Sequence, residues 1–454
     1  MPSTVLTKTS HLILACAFMT GTGLAISDDS QFIEVSDGAF TRQGQPYCYV
    51  GTNFWYGAYL GHPGDVGDRE RLGRELDLLK ETGITNLRVL GASEASPLMN
   101  SLKVTFRNNT DQYNEELLQG LDYLLDELAK RDMHAVIYLN NFWEWSGGMG
   151  TYLYWTNGGE FINLGDPAHP WPAFAEFSAG FYENDVAIAL FHDYVKTLIS
   201  RTNSVNGKAY RDDPAIMSWQ LANEPRPGYQ NELGFGRLPA YNAWINGTAG
   251  LIKSLDPNHL VSVGSEGTMG CLENDQCYID AHSGENVDYL TFHMWPKNWG
   301  WYDARNPGNT YDRALQKAGD YISAHLELAE RLGKPTVLEE FGLEREGGGF
   351  SPDLSTGHRD RFYKLVFERV EQDLESSGLF RGTNFWTWGG YGRAAHDDYN
   401  WREGDRSYTG DPPQEAQGLN SVFDSDESTL LTIRRHAENL ASLGCGFVPI
   451  KTNQ

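Results

Sequence analysis

Short apolar runs recur along the chain, each followed by a longer stretch with helical periodicity. The runs 47–53, 84–89, 134–140, 216–222, 259–264, 288–293, 335–340 and 382–388 are dense in aliphatic and aromatic residues, as expected of strands buried on both faces. Between them, segments such as Arg69 to Thr82, Asn114 to Arg131 and Arg313 to Leu332 repeat apolar positions every three or four residues, the spacing of amphipathic helices. This alternation predicts an α/β fold, a (β/α)8 TIM barrel. Ahead of it, residues 32–46 alternate and turn through Asp37-Gly38 and Gln43-Gly44, predicting a small N-terminal β-hairpin that caps the barrel floor. Two long inserts follow strands three and eight, Phe142 to Asp185 and Tyr391 to Asn420. The first is rich in aromatic residues and Gly, so it is expected to hang over the catalytic face. No repeat, low-complexity tract or linker divides residues 32–454, which read as one domain.

Two of the strands end on acids. Ser218 to Ala222 runs into Asn223-Glu224-Pro225, and Pro335 to Leu338 runs into Glu339-Glu340-Phe341-Gly342. A buried strand closes on a carboxylate only where that group has a partner or a task. Two carboxylates at one end of a barrel suit glycosidic-bond cleavage. Retaining enzymes place the two groups about 5 Å apart, one attacking the anomeric carbon and the other serving as acid and base. Proline after Glu224 stops its strand and aims the side chain. Arg88, at the end of the second strand, is the cation expected to keep Glu340 ionised.

Composition narrows the substrate. Thirteen Trp and 23 Tyr contribute to an aromatic share of 13%, and many lie beside Gly, Asn and Pro, where flat rings suit sugar faces. The net charge of −25 repels phosphate backbones, so no nucleic-acid partner is expected. Residues 1–25 read as an export signal: Lys8 precedes the apolar stretch Leu12 to Met19, and Gly23-Leu24-Ala25 offers a cleavage site. Ile13-Leu14-Ala15-Cys16 also resembles a lipobox, so the alternative to a secreted protein is an outer-membrane lipoprotein anchored through Cys16. Four cysteines remain after the signal, and export permits them to form disulfides. Cys271 and Cys277 bracket a short loop, and barrel closure brings Cys48 near Cys445; four buried thiols are the other reading. No Cys-His spacing matches a zinc site, and neither metal nor cofactor is expected.

The runs Leu221 to Arg226 and Val337 to Gly342 resemble the two active-site signatures of glycoside hydrolase family 5. Gly51 to Tyr56, Asn140 to Trp143, Gly264 to Gly267 and Phe292 to Pro296 resemble its β-mannanase and β-mannosidase branch. The resemblance covers residue 32 onward. It implies a retaining (β/α)8-barrel hydrolase of β-1,4-mannans, with Glu224 as acid/base and Glu340 as nucleophile. Arg88, Asn223 and His293 match active-centre positions, and Trp386 matches the ring beneath the sugar being cleaved, with Trp388 as the alternative. Glu339 is expected on the opposite side of its strand from Glu340. Where many relatives carry His-x-Tyr, this chain has His293-Met294-Trp295, so either Trp295 donates to Glu340 or another Tyr reaches in. Asn140, rather than Asn141, and Glu266 are further substrate-binding candidates. Trp143, Trp145, Trp299 and Trp301 are expected either as sugar platforms or as loop buttresses; His134 reads as structural. An endo-acting mannanase, working as a monomer on mannan or manno-oligosaccharides, is the expectation. An exo-β-mannosidase, a β-glucanase and a non-catalytic sugar-binding protein are the alternatives.

Overall fold

The computed structural model describes residues 1–2 and 31–445. The apolar stretch of the expected export signal, with Cys16, lies outside the described residues. Strands β1 (Ile33–Ser36), β2 (Ala39–Arg42) and β3 (Gln45–Pro46) form the antiparallel N-terminal hairpin sheet. Its two turns place Asp37, Gly38, Gln43 and Gly44 at φ between 50° and 75°, the left-handed backbone that tight hairpin turns require.

Eight parallel strands follow: β4 (Tyr49–Asn53), β5 (Ile84–Leu90), β6 (His134–Tyr138), β7 (Ile216–Gln220), β8 (Leu260–Ser262), β9 (Leu290–Met294), β10 (Thr336–Phe341) and β11 (Phe380–Phe385). They pair in the order β8-β7-β6-β5-β4-β11-β10-β9, and a bridge between Ser262 and Tyr289 closes the ring. Every strand expected from the apolar runs is present within a few residues, so the TIM barrel and its hairpin stand as read. After β11 the chain leaves the barrel; β12 (Trp388–Gly390) pairs outside it with β13 (Val422–Phe423).

The helices form where caps and apolar faces coincide. Asp68 caps the helix Arg69–Thr82 by accepting from the Arg71 amide, and Gly83 ends it at φ 92° just before β5. Asn114 caps Glu115–Lys130, whose Leu117, Leu121, Leu124 and Leu128 face the sheet in a buried row. Inside the barrel, the floor is apolar: Tyr49, Val136, Met217, Leu260, Tyr289 and Val337 cluster with Ile33 and Phe40 of the hairpin. That plug leaves only the C-terminal rim open to solvent chemistry.

Cysteines 48 and 445 form a disulfide, with Cα atoms 5.4 Å apart, and Cys271 pairs with Cys277. The first bridge ties the start of β4 to the segment just after the helix Glu427–Ser442 across 397 residues of chain. Replacing both Cys48 and Cys445 by Ala is expected to lower the unfolding free energy by about 2–4 kcal/mol. Urea unfolding under non-reducing conditions reads this, and an unchanged midpoint would show that the bridge does not stabilise the barrel.

Candidate active site

The carboxylates that ended two apolar runs meet at the C-terminal rim. An oxygen of Glu224, an oxygen of Glu340 and a ring nitrogen of His293 all lie within 4.8 Å of one another, and all three residues are buried. Glu224 follows β7 at φ 49°, a conformation that costs a non-glycine residue of order 1–3 kcal/mol. Its amide donates to the Gly264 carbonyl at 2.9 Å, and Pro225 fixes the chain beyond it.

Glu340 reaches the same place through an irregularity in β10. Leu338 pairs with Phe292, but the next partner, His293, pairs with Glu340 rather than Glu339. This skip is a β-bulge, and it overturns the strict alternation expected for the Glu339-Glu340 pair. Glu339 does not point away from the site. It is fully buried, accepts from Gln220 Nε2 at 2.8 and 2.7 Å, and lies 3.8 Å from Arg88 Nε.

Arg88 organises the centre. Its Nη1 donates to Glu340 Oε1 at 2.5 Å and to Asn53 Oδ1 at 3.0 Å; Nη2 donates to Asn223 Oδ1 at 2.8 Å, and Nε to Gln220 Oε1 at 2.8 Å. Its guanidinium sits 4.7 Å above the Tyr138 ring. The donor set Glu224, His293 and Glu340 is the one among the described residues close enough to hold a cation, but it already faces this guanidinium. The arrangement therefore suits proton transfer and nucleophilic attack better than metal ligation.

Glu224 is held from three sides. His293 Nδ1 lies 2.7 Å from its Oε1, Trp295 Nε1 donates to the same oxygen at 3.2 Å, and Trp143 Nε1 donates to Oε2 at 2.5 Å. Burial alone would raise the Glu224 carboxyl, but the hydrogen bond and charge of His293 outweigh it and bring the group down to about 2. Burial likewise opposes the imidazolium, yet the surrounding glutamates, Glu340 foremost, raise His293 well above its ordinary value. The two groups thus titrate as a pair that shares one proton across the 2.7 Å contact. The Trp295 indole donates to Glu224, not to Glu340.

A cavity of about 410 Å³ opens over these groups. Asn223, Glu266, Trp143, Trp145, Trp299 and Trp386 lie in its wall, as does Trp295. Glu266 pairs with Arg226 and accepts from Trp299 Nε1 at 3.2 Å; burial lifts it to about 7 against the pull of Arg226. Trp301 is one step back, its ring 4.9 Å from Trp299. Trp388 does not reach the cavity: β12 carries it outward, and its Nε1 donates at 2.7 Å to Glu75 on the helix Arg69–Thr82. Asn140 is buried beneath the rim, and its side chain accepts from the Asn141 amide. It is Asn141 whose side chain accepts from Asn223 Nδ2, at 3.1 Å.

Sequence reasoning did not single out Gln414 and Glu415, which the insert after β11 places in the wall. Burial and the neighbouring Asp411 push Glu415 up to about 8, and one oxygen of each is buried without a hydrogen-bond partner among the described residues. Their run, Asp411-Pro412-Pro413-Gln414-Glu415, has no periodicity; the length of the insert was its only signal.

Known proteins share this arrangement of chain and fold. A family model described as GH family 5 beta-mannosidase-like matches residues 30–444. A glycoside hydrolase family 5 mannosidase from Rhizomucor miehei superposes with a TM-score of 0.83 at 35% identity, covering 92% of this chain and 99% of that one. A putative mannan endo-1,4-beta-mannosidase 9 from Oryza sativa is 28% identical over 388 residues, 83% of this chain and 86% of the relative. Mannan endo-1,4-beta-mannosidase 4 from Solanum lycopersicum is 30% identical over 299 residues, 63% and 67% of the two chains. The chain belongs to glycoside hydrolase family 5, in its β-mannosidase-like group, and is a glycoside hydrolase.

Proposed function

We propose that the protein hydrolyses β-1,4-mannosidic bonds of mannans and manno-oligosaccharides with retention, cutting within the chain. The observation that carries the reading is the approach of Glu224 and Glu340 to within 4.8 Å, the spacing of direct displacement rather than of a bridging water. Glu340 attacks the anomeric carbon as Glu224 delivers a proton to the leaving oxygen, so a glycosyl ester forms and the glycosidic C–O bond breaks. Water then attacks the same carbon, Glu224 takes its proton, and the ester opens. The proton that Glu224 delivers is the one it shares with His293, 2.7 Å away, and the proton taken from water restores it to the pair. Asn223, Glu266, Trp143, Trp295 and Trp386 line the substrate's path, with Arg88 holding the nucleophile. The names of the plant relatives support endo cleavage of mannan.

Two observations favour a second reading, exo-action. The Rhizomucor miehei neighbour is a mannosidase, and the two inserts both contribute wall to a cavity of about 410 Å³, within the range of pockets that enclose a small ligand. Two disulfides support an exported protein, and a monomer is the working assembly; a lipid anchor on Cys16 remains the alternative to free secretion.

Products from mannohexaose separate the two modes: mixed short oligomers are expected for endo cleavage, whereas mannose released alone from the first time point would establish exo-action. Glu340→Gln is expected to abolish turnover. Glu224→Gln should lower kcat/KM on mannan by about 10²–10⁴-fold, with a much smaller loss on a dinitrophenyl mannoside, whose leaving group needs no proton. Equal losses on both substrates would remove Glu224 from the acid role. Because His293 shares the proton, activity should persist upward in pH until the pair deprotonates. His293→Gln leaves only Glu224 to carry that proton, so the alkaline limb of the kcat/KM profile is expected to move toward acid; an unmoved limb would show that the imidazole plays no part.

A further inference from the structure

Two rings at the cavity mouth stay outside the chemistry just described. Trp171, on the insert after β6, is 46% exposed, and Tyr229, on the loop after β7, is 40% exposed. Both belong to the cavity wall. Their centroids are 6.1 Å apart with planes at 90°. Trp171 also stacks on Trp143, at 6.2 Å and 26°, and Trp143 is the ring whose N–H donates to Glu224. An aromatic path therefore leads from the Glu224 carboxylate out to solvent.

The two loops are tied together by one carboxylate. Glu176, on the helix Ala173–Ala179 that follows Trp171, accepts from the Tyr229 amide at 3.2 Å and from Asn231 Nδ2 at 2.8 Å through Oε1. Its Oε2 accepts from Arg237 Nη1 at 2.6 Å. The rings are thus set in place before any ligand arrives, which reduces the ordering cost of binding. Large exposed rings beside a pocket are costly to solubility unless a ligand covers them.

Position identifies that ligand. The group that protonates the leaving oxygen must face the leaving portion of the substrate, so the side of the cavity beyond Glu224 belongs to that portion. We propose that Trp171 and Tyr229 form a platform for the leaving-group oligosaccharide of a β-linked glycan, engaging sugars beyond the one joined at the scissile bond. The exposed ring surfaces are flat and apolar, as the C–H face of a pyranose requires of a partner. The inference rests on the hydrolase reading of Glu224 and Glu340 and names the substrate portion that their pocket mouth recognises.

Calorimetric binding to Glu340→Gln protein tests the platform without turnover. Adding Trp171→Ala or Tyr229→Ala is expected to raise the Kd for mannohexaose by about three- to tenfold, and to change mannobiose, too short to reach the rings, much less. Trp171→Phe should recover part of the loss. Unchanged mannohexaose affinity in both Ala variants, equal losses for the two sugars, or no binding of mannohexaose at all would overturn the proposal. So would self-association of the wild-type chain that Trp171→Ala abolishes while sugar binding persists, since the rings would then serve a contact between copies. Failure of the hydrolase reading is separate: it would show as a wild-type protein that binds the hexaose through these rings yet releases no sugar.

Discussion

The active centre depends on keeping three carboxylates buried side by side. Glu224, Glu339 and Glu340 are all nearly or fully inaccessible, and their mutual repulsion in a low-dielectric interior must be offset by cations placed among them. Arg88 and His293 are those cations. Arg88 touches Glu340 directly and approaches Glu339; His293 contacts Glu224 and Glu340, with Glu339 4.0 Å from its other nitrogen. Arg88 is not held by charge alone. Asn53, Gln220 and Asn223 accept from the guanidinium nitrogens beside its contact to Glu340, so each nitrogen of the buried fork has a partner. Five strands, β4, β5, β7, β9 and β10, contribute to this one cluster, which makes the geometry of the site a property of the closed barrel rather than of any loop.

The bulge in β10 follows from the same constraint. Strict alternation would have sent one of two adjacent glutamates toward the helices, among apolar side chains with no cation near. The extra residue lets both face the interior, where Gln220 and Arg88 meet the first and Arg88 and His293 the second. The left-handed backbone at Glu224 plays a similar part on the opposite strand: strain is accepted so that a carboxylate leaves its strand pointing at the cluster instead of continuing the ladder.

These two irregularities mark the boundary of what was legible in the sequence. Continuous apolar runs revealed every barrel strand, because burial on both faces leaves a compositional trace that needs no partner to be read. The same runs ended on Glu224 and Glu340; Arg88 followed from its place at the end of the second strand, and His293 from the family resemblance. Glu339 was misread because a bulge depends on which residue the adjacent strand offers, and no local pattern records that. Trp388 was misread for a related reason: two residues after Trp386 it should share a face, but the chain has already left the barrel to pair with β13. Asn140 and Asn141 show the same difficulty at a smaller scale, since the turn that follows β6 decides which amide meets Asn223.

The rim is where sequence patterns lose their hold. Trp171, Tyr229, Gln414 and Glu415 come from inserts without periodicity, and they meet only because each insert is fastened to the scaffold. Glu176 joins the loops on the Glu224 side. On the other side, Asp411 accepts from the amides of Gly418 and Asn420 and from the Ser421 hydroxyl, which closes the loop that presents Gln414 and Glu415. Both anchors are carboxylates satisfied by several donors, which gives a loop a single shape without a hydrophobic core of its own. The charge cluster is thus fixed by the barrel strands, while the rim above it takes its shape from these two anchors.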